Sequence, residues 1–264
     1  MRLFYGFTKE PFSSDIKVED LYHTAALLGM KDRFLYAVNL GAVSVVTGDV
    51  GSGKSTALRY ASSFLHPSQY QLICVVASTG SVVEILKQIA MALDIEWTSI
   101  SLAKLMRTIR QAVMEISKRK QIPVLVIDEA SLMRMEVFAQ LHTLGQFDMD
   151  SKPLLPIILS GQNNLLDKLM YITSRPLASR VIGRSHLEGL KQKDMEGYLK
   201  HHLELAGIKE QLFVEEAVLA IHQGSGGLLR RANLLAKGAL IAAAREKCVV
   251  VSAEHVRLAS TEIF

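Results

Sequence analysis

The sequence predicts an α/β fold, in which a parallel β-sheet is flanked by helices and is followed by a region of helices alone. Up to about residue 189, short apolar runs alternate with segments of helical periodicity, which is typical of strands joined by crossover helices. From Leu190 onwards only helical patterns remain. We therefore predict an α/β domain over residues 1–189, including an N-terminal extension, and a helical lid domain over residues 190–264.

The chain opens with an aromatic segment, residues 3–12, in which Pro11 argues against a regular helix. We expect its rings to pack on a neighbouring domain surface. Apolar residues from about Asp20 to Leu40 then predict helix with a break near Gly29. This helix leads into the first strand.

A glycine-rich motif joins that strand to the next helix. The strand is Val43 to Thr47, and the motif and the residue after it are Gly48, Asp49, Val50, Gly51, Ser52, Gly53, Lys54, Ser55 and Thr56. The motif fits G-x-x-x-x-G-K-[ST] at every fixed position and has the flanking strand and helix of a phosphate-binding P-loop. Lys54 would reach the β and γ phosphates of the nucleotide, and the Ser55 hydroxyl would bind Mg²⁺. The alternative is a glycine-rich turn that binds nothing.

A second strand and two helices are predicted after the P-loop helix. Residues 71–77 form a short apolar run that is typical of a buried strand, and residues 82–93 have helical periodicity. The helix over residues 101–118 is strongly amphipathic, and its basic face carries Lys104, Arg107, Arg110 and Lys118. Two interpretations stay open for this face: a solvated surface, or a surface that contacts nucleic acid.

Two adjacent carboxylates end the next apolar strand. The run from Val124 to Ile127 leads into Asp128 and Glu129, at the strand end where open α/β sheets bind their ligands. Successive strand residues point in opposite directions, so the two acids should have different roles. We expect Asp128 to hold Mg²⁺ through its water shell and Glu129 to polarise the attacking water. The alternative is a helix N-cap followed by an acid in the first turn.

Polar side chains also follow the apolar run over residues 154–160, which is predicted to be a strand. Pro156 should lie at the start of this strand, because proline is disfavoured within a central strand. A side chain there could contact the γ-phosphate and the lytic water, and we prefer Gln162 to Ser160 or Asn164 for this role. The alternative is a loop of turn-forming amides.

Arginines precede a short final strand near residues 185–187. Arg180 is the best candidate to complete the active site of a neighbouring subunit, by stabilising charge on the transferred phosphoryl group. A surface salt bridge is the alternative role for this side chain.

Helices are predicted over residues 194–205, 214–223, 228–246 and 252–259. A glycine-rich stretch precedes the third of them, and Arg230 in its first turn could reach the nucleotide. The alternative is an arginine that faces solvent at a helix start.

Composition permits a nucleotide-binding enzyme without requiring one. The 264 residues are 49% hydrophobic and 21% charged, which is a soluble globular balance. The formal charge of +4 and the pI near 9.0 are mildly basic, so a nucleic acid or an acidic membrane surface is permitted as a partner.

Cysteine content and hydropathy favour a cytoplasmic protein. Cys74 and Cys248 offer neither a disulfide framework nor metal-ligand spacing. The N-terminus has no signal-peptide pattern, and the longest apolar run, from Ala232 to Ala244, is interrupted by Lys237. We therefore expect no membrane span.

Together these motifs resemble those of an AAA+ ATPase. More narrowly, the chain is similar over nearly its whole length to the ATPase domain of the general secretion pathway A (ExeA) type. The residues that carry this resemblance are Tyr5-Gly6-Phe7, Glu10-Pro11-Phe12, Gly48 to Ser55, Leu159 to Gln162 and Gly226 to Arg230. The resemblance implies ATP and Mg²⁺ as cofactors. It also implies Lys54 and Ser55 as Walker A, Asp128 and Glu129 as Walker B, Gln162 near sensor 1, Arg180 as arginine finger and Arg230 as sensor 2.

Secretion members of that family continue into a membrane span and a cell-wall-binding part, whereas this sequence ends at Phe264 with neither. The sequence also resembles, more broadly, stand-alone ATPases that assist DNA transposition. In those, the ATP-bound form assembles on duplex DNA and recruits or activates a transposase. We therefore expect an ATPase that forms a homo-oligomer, as a ring or a filament, and serves a transposase.

Two alternatives remain from the sequence. One is a cytoplasmic ATPase that assembles a secretion complex or another protein complex. The other is a nucleotide-dependent binding module with negligible turnover.

Overall fold

The computed structural model describes residues 1–96 and 101–261. Within them, five parallel strands form one sheet in the spatial order β2-β3-β4-β1-β5. The strands are β1 (Val43–Gly48), β2 (Tyr70–Val76), β3 (Ile122–Asp128), β4 (Ile157–Gly161) and β5 (Val181–Leu187). Because parallel neighbours need crossover connections, helices separate these strands along the chain.

The helices begin with one N-terminal turn and end in a group that is free of strands. They are α1 (Arg2–Tyr5), α2 (Ala25–Asn39), α3 (Lys54–Ser62), α4 (Val82–Ala92), α5 (Leu102–Lys118), α6 (Met135–Leu144), α7 (Asn164–Met170), α8 (Arg175–Ala178), α9 (Gln192–Leu205), α10 (Glu215–Ser225), α11 (Leu229–Arg245) and α12 (Ala253–Thr261). A 3₁₀ turn, Ala130–Leu132, follows β3. The prediction of a parallel sheet flanked by helices, with helices after it, is confirmed.

The chain divides into two compact units. The α/β unit contains residues 25–48 and 54–187, and the helical unit contains residues 1–24, residues 49–53 and the chain from Glu188 onwards. The helical unit thus begins two residues before the predicted boundary. The structure differs from the predicted division at the N-terminus, which packs in the helical unit and not in the α/β unit.

Aromatic packing explains the place of the N-terminal segment. Tyr5, Phe7 and Phe12 are buried in the core that α9 to α12 form. Phe12 stacks on the His202 ring, with 5.2 Å between centroids, and lies edge-on to Phe213. Burying three aromatic rings contributes a large favourable free energy. The rings do pack, as predicted, but in the core of the helical unit.

The central strands β1, β3 and β4 are buried on both faces, which is why they read as continuous apolar runs. The prediction that residues 71–77 form a buried strand was wrong in part, because β2 lies at the edge of the sheet and exposes Cys74 and Val76. All six residues of β1 are buried. Helix α5 buries Leu105, Ile109, Val113 and Ile116, which share one helical face, against this core. Since β1, β3 and β4 are parallel, their carboxyl ends lie at the same edge of the sheet.

Three local predictions were wrong. Helix α2 continues through Gly29 without a break, since it buries Met30 and Phe34 completely, which offsets the cost of about 1 kcal/mol for an internal glycine. One helical turn, α1, forms inside the aromatic segment before Pro11. Strand β5 begins earlier than predicted, at Val181.

A buried histidine should make stability depend on pH. His202 is 6% exposed, and its burial, together with the neighbouring His201, lowers its pKa to about 4. In the unfolded chain the same ring titrates near pH 6.5, so the unfolded state takes up the proton first as the pH falls. Lowering the pH from about 7 to about 5 should therefore lower the free energy of unfolding by about 2 kcal/mol through His202 alone.

Urea unfolding of the wild type and of His202→Leu at these two pH values measures this contribution. The variant lacks the titrating ring and should lose correspondingly less stability at the lower pH. Equal pH dependence in both proteins would show that His202 does not titrate as its burial requires.

Candidate functional site

The P-loop runs from the end of β1 into α3. Gly51 and Gly53 have φ angles of +88° and +94°, which glycine adopts far more readily than other residues. Close packing also demands glycine, because a Cβ on Gly51 would lie 3.0 Å from Cβ of Arg230, and one on Gly53 would lie 3.0 Å from Cδ1 of Leu229. These contacts lie within the helical unit, to which residues 49–53 belong.

Lys54 is a buried cation at the first position of α3. Its side chain is 7% exposed, and its Nζ donates a hydrogen bond to the Gly48 carbonyl, at 2.9 Å. The helix dipole disfavours a cation at this end, so the ammonium and the helix N-terminus together create a strongly positive environment. Such an environment suits a polyphosphate.

Asp128 connects the P-loop helix to the end of β3. The Ser55 hydroxyl donates to Oδ2 of Asp128, at 2.6 Å. The other carboxylate oxygen, Oδ1, accepts from the Ser160 hydroxyl at 2.8 Å and from the Glu129 N–H at 2.9 Å. Both oxygens of this carboxylate are therefore fixed by neighbouring groups.

Glu129 leaves β3 in a left-handed conformation, with φ 53° and ψ 30°. A residue other than glycine persists there only when its surroundings impose it, at a cost of about 1–3 kcal/mol. The alternative interpretation made Asp128 the N-cap and Glu129 the acid of the first turn, whereas the structure places Glu129 itself at the N-cap position of the Ala130–Leu132 turn, without a capping bond from its side chain. Its half-buried carboxylate is thus not used as a helix cap.

Of the polar residues at the end of β4, Ser160 is the one bonded to Asp128. Ser160 is fully buried, Gln162 is half-buried just beyond the strand, and Asn164 is exposed at the start of α7. From the sequence we preferred Gln162 to Ser160, and we did not predict the hydrogen bond between Ser160 and Asp128. The signal that could have found it is the pairing of β3 with β4, which no local pattern reveals.

The two predicted arginines lie in different settings. Arg180 forms an ion pair with Asp150 within the α/β unit, and its side chain is 22% exposed. This is the salt bridge that was the alternative role for Arg180. Arg230 is exposed at the second position of α11, and its backbone N–H donates to the Gly51 carbonyl at 3.1 Å. The structure thus brings the backbone of Arg230 to the P-loop, within the helical unit.

Three metal-binding residue types also meet near the end of the chain, at Glu246, Cys248 and His255. The Ser252 N–H donates to Nδ1 of His255 at 2.9 Å, so Nε2 of the neutral ring carries the proton. Nε2 lies 3.1 Å from a Glu246 carboxylate oxygen and donates to it. The group is therefore explained by hydrogen bonds that anchor the start of α12.

In the described part of the chain, no helix has the length and apolar character needed to cross a membrane.

Comparisons with known proteins bear on the family and the fold of the chain. Residues 39–169 match the family model described as AAA domain. Over 249 residues the chain is 29% identical to general secretion pathway protein A of Aeromonas hydrophila. That alignment covers 91% of this chain and 44% of the relative, so the chain spans less than half of the relative's length.

Solved structures share the fold at low identity. Cdc6p from Pyrobaculum aerophilum superimposes with a TM-score of 0.74 and 16% identity, over 96% of this chain and 70% of that chain. The Aeropyrum pernix ORC1 protein, solved in complex with DNA, gives a TM-score of 0.70 and 19% identity, over 96% and 68% of the two chains. Both the predicted fold class and the resemblance are confirmed. Residues 39–169 are thus similar to an AAA domain, and the chain shares its fold with the solved Cdc6p and ORC1 proteins.

Proposed function

We propose that this chain binds ATP with Mg²⁺ at the P-loop and hydrolyses it to ADP and phosphate. One observation carries the proposal: the Ser55 and Ser160 hydroxyls both donate hydrogen bonds to the Asp128 carboxylate. Asp128 ends β3 at the edge of the sheet where β1 leads into the P-loop. This places a hydroxyl and a carboxylate beside the phosphate-binding loop.

The residues present fit both cofactors. Ser55 Oγ and the Asp128 carboxylate are the hard oxygen donors that Mg²⁺ prefers, the carboxylate acting through the water shell. Ser52 Oγ is buried in the P-loop without a hydrogen-bond partner among the described residues, and a phosphate oxygen would supply that partner. Mg²⁺ bound there would neutralise charge on the β and γ phosphates.

The chain's own groups supply positioning and proton transfer. Lys54 would exchange its bond to the Gly48 carbonyl for bonds to phosphate oxygens. Glu129 would accept a proton from the attacking water, while Gln162 would orient that water and Arg230 would contact the nucleotide. Phosphoryl transfer needs little covalent chemistry from the protein, so electrostatic stabilisation should dominate the rate enhancement.

For the biological role we infer an ATP-dependent oligomeric switch on duplex DNA that helps a transposase. Its support is the mildly basic charge, the fold shared with an ORC1 protein solved with DNA, and the resemblance to transposition helpers. Lys104 and Arg107 are exposed on α5 and could face DNA. Arg110 is not equivalent, because it donates to the Thr143 carbonyl and covers the Phe147 ring.

A second candidate is assembly of a secretion complex. The 29% identity to general secretion pathway protein A favours it, although the shared region is under half of that protein. A cytoplasmic location fits either role and stays a prediction.

Sedimentation and ATP turnover, each measured with and without duplex DNA, in ATP and in ADP, separate these roles. If the DNA role is correct, DNA and ATP together should give large assemblies and faster hydrolysis. Changing Lys104 and Arg107 to Gln should weaken this response, whereas changing Lys17 and Lys200, which carry the same charge in the helical unit, should not. No response to DNA in the wild type would favour protein assembly, and assembly with ATP but without turnover would favour a binding module.

Arg180→Ala should leave ATP binding intact and remove most assembly-dependent hydrolysis. If Arg180 acts in the site of a neighbouring subunit, the loss should reach about 1,000-fold. Mixing Arg180→Ala with Glu129→Gln should then restore activity, because each Arg180→Ala site keeps Glu129 and receives an arginine from its neighbour.

The control for this prediction is Asp150→Asn, which removes the ion-pair partner and leaves the arginine. If the pair is only structural, both single variants should lose stability equally, Arg180→Ala should hydrolyse ATP as Asp150→Asn does, and adding Glu129→Gln should give no further activity. That result would assign Arg180 to the salt bridge.

A further inference from the structure

Lys168, on α7, is bonded to the backbone that follows Glu129. Its Nζ donates to the Ser131 carbonyl at 2.7 Å and to the Met133 carbonyl at 2.8 Å. The side chain is half-buried. Both acceptors belong to the Ala130–Leu132 turn or to the residue directly after it, so one ammonium holds two points of the same short segment.

Within the described part of the chain, Lys168 forms no ion pair. Its ammonium is held there by carbonyl groups and by no carboxylate. A half-buried ammonium without a counter-charge is costly unless its N–H groups are well bonded. Hydrogen bonds from an ionised donor are about twice as strong as neutral ones. The arrangement therefore fixes the two carbonyls firmly.

The segment that Lys168 holds begins with the strained residue. The Leu132 N–H donates to the Glu129 carbonyl at 2.9 Å, and the Met133 N–H donates to the Ala130 carbonyl at 3.2 Å. Before the turn, the Glu129 N–H is bonded to Asp128. The left-handed backbone of Glu129 is thus held by Asp128 on one side and by the turn that Lys168 anchors on the other.

The end of β4 closes the opposite side of this turn. A Cβ on Gly161 would lie 2.7 Å from the Ser131 backbone nitrogen and 3.0 Å from Ser131 Cβ. The turn therefore packs directly on Gly161 and is tied to α7 through Lys168. Small shifts of α7 would be transmitted to the backbone of Glu129.

We propose that Lys168 is a positioning residue for Glu129. Lys168 holds the Ala130–Leu132 turn in the conformation that directs the Glu129 carboxylate at the attacking water. This inference rests on the proposed hydrolysis of ATP. It also links the segment after Gln162, from which α7 extends, to the group that accepts the proton.

Lys168→Met tests the inference, because it keeps the alkyl chain and removes the N–H donors. We expect kcat to fall by about 10- to 100-fold, as for a misplaced catalytic group. KM and ATP affinity should change by less than about two-fold, since the phosphate-binding groups are untouched. Lys168→Arg, which retains charged donors, should recover part of the rate. Lys200→Met removes an exposed lysine of α9 and should behave as wild type.

Amide hydrogen exchange supplies a measurement that is independent of turnover. In Lys168→Met, the peptide covering residues 129–134 should exchange faster, while β3 residues before Asp128 keep their protection. Unchanged exchange in the turn, or equal loss of protection throughout β3, would overturn the positioning role.

The two failures are distinguishable. If the wild type hydrolyses ATP and Lys168→Met has the same kcat, the role of Lys168 is refuted and the proposed function stands. If the wild type hydrolyses no ATP, the proposed function fails, and exchange in the turn decides whether Lys168 fixes the backbone of Glu129.

Discussion

Lys54→Ala should abolish nucleotide binding. The ammonium is buried at the start of α3 and donates to the Gly48 carbonyl, so it is already placed at the loop that would hold the phosphates. Losing a charged hydrogen-bond donor to a polyphosphate should weaken affinity by at least about 100-fold. Titration with a fluorescent ATP analogue measures the change.

The matched control is Lys200→Ala, which removes an equal charge from an exposed position in the helical unit. It should bind nucleotide as the wild type does. Circular dichroism should show Lys54→Ala to be folded. ATP affinity retained in a folded Lys54→Ala protein would count against the P-loop assignment.

Glu129→Gln should keep ATP binding and stop turnover. The amide has nearly the same shape as the carboxylate but cannot accept the proton of the attacking water. The phosphate-binding groups remain, so affinity should be unchanged, while kcat should fall by at least about 100-fold. Because ATP then persists in the site, the ATP-bound assembly should accumulate in sedimentation experiments.

The control is Glu136→Gln, on the first turn of α6, which should hydrolyse ATP as the wild type does. Undiminished hydrolysis by Glu129→Gln would remove Glu129 from its proposed role.

The strands and the P-loop could be predicted from sequence because their causes are local. A strand that is buried on both faces is mostly apolar, and most residues of β1 and β3 show this directly. The glycines at 51 and 53 are required by backbone angles that few other residues adopt. The periodicity of α5 likewise follows from one buried face.

The remaining features depend on contacts between distant parts of the chain. The place of Phe12 depends on its stacking with His202, nearly two hundred positions later in the sequence. The bond between Ser160 and Asp128 depends on which strands are neighbours in the sheet. Lys168 reads as an ordinary surface lysine in the sequence, because its two acceptors are backbone carbonyls without a residue signature.

The ion-pair partner of Arg180 could not be predicted from the sequence. Its position before β5 was recognised, but the partner that the structure supplies, Asp150, lies in a loop whose residues 148–150 all have positive φ angles. Such a backbone depends on tertiary contacts and has no strong sequence signature. Mixing Arg180→Ala with Glu129→Gln determines whether Arg180 acts in the site of a neighbouring subunit.

ATP hydrolysis by this chain is tested most directly by the steady-state rate of phosphate release from MgATP, measured for the purified wild type with Glu129→Gln as the blank. If the chain hydrolyses ATP, the wild type should release phosphate at a measurable rate and should lose this release when Mg²⁺ is chelated. Glu129→Gln should release phosphate only at the background rate, although both proteins bind ATP. Absence of release by the wild type under all conditions, or equal release by both proteins, would contradict the proposed hydrolysis.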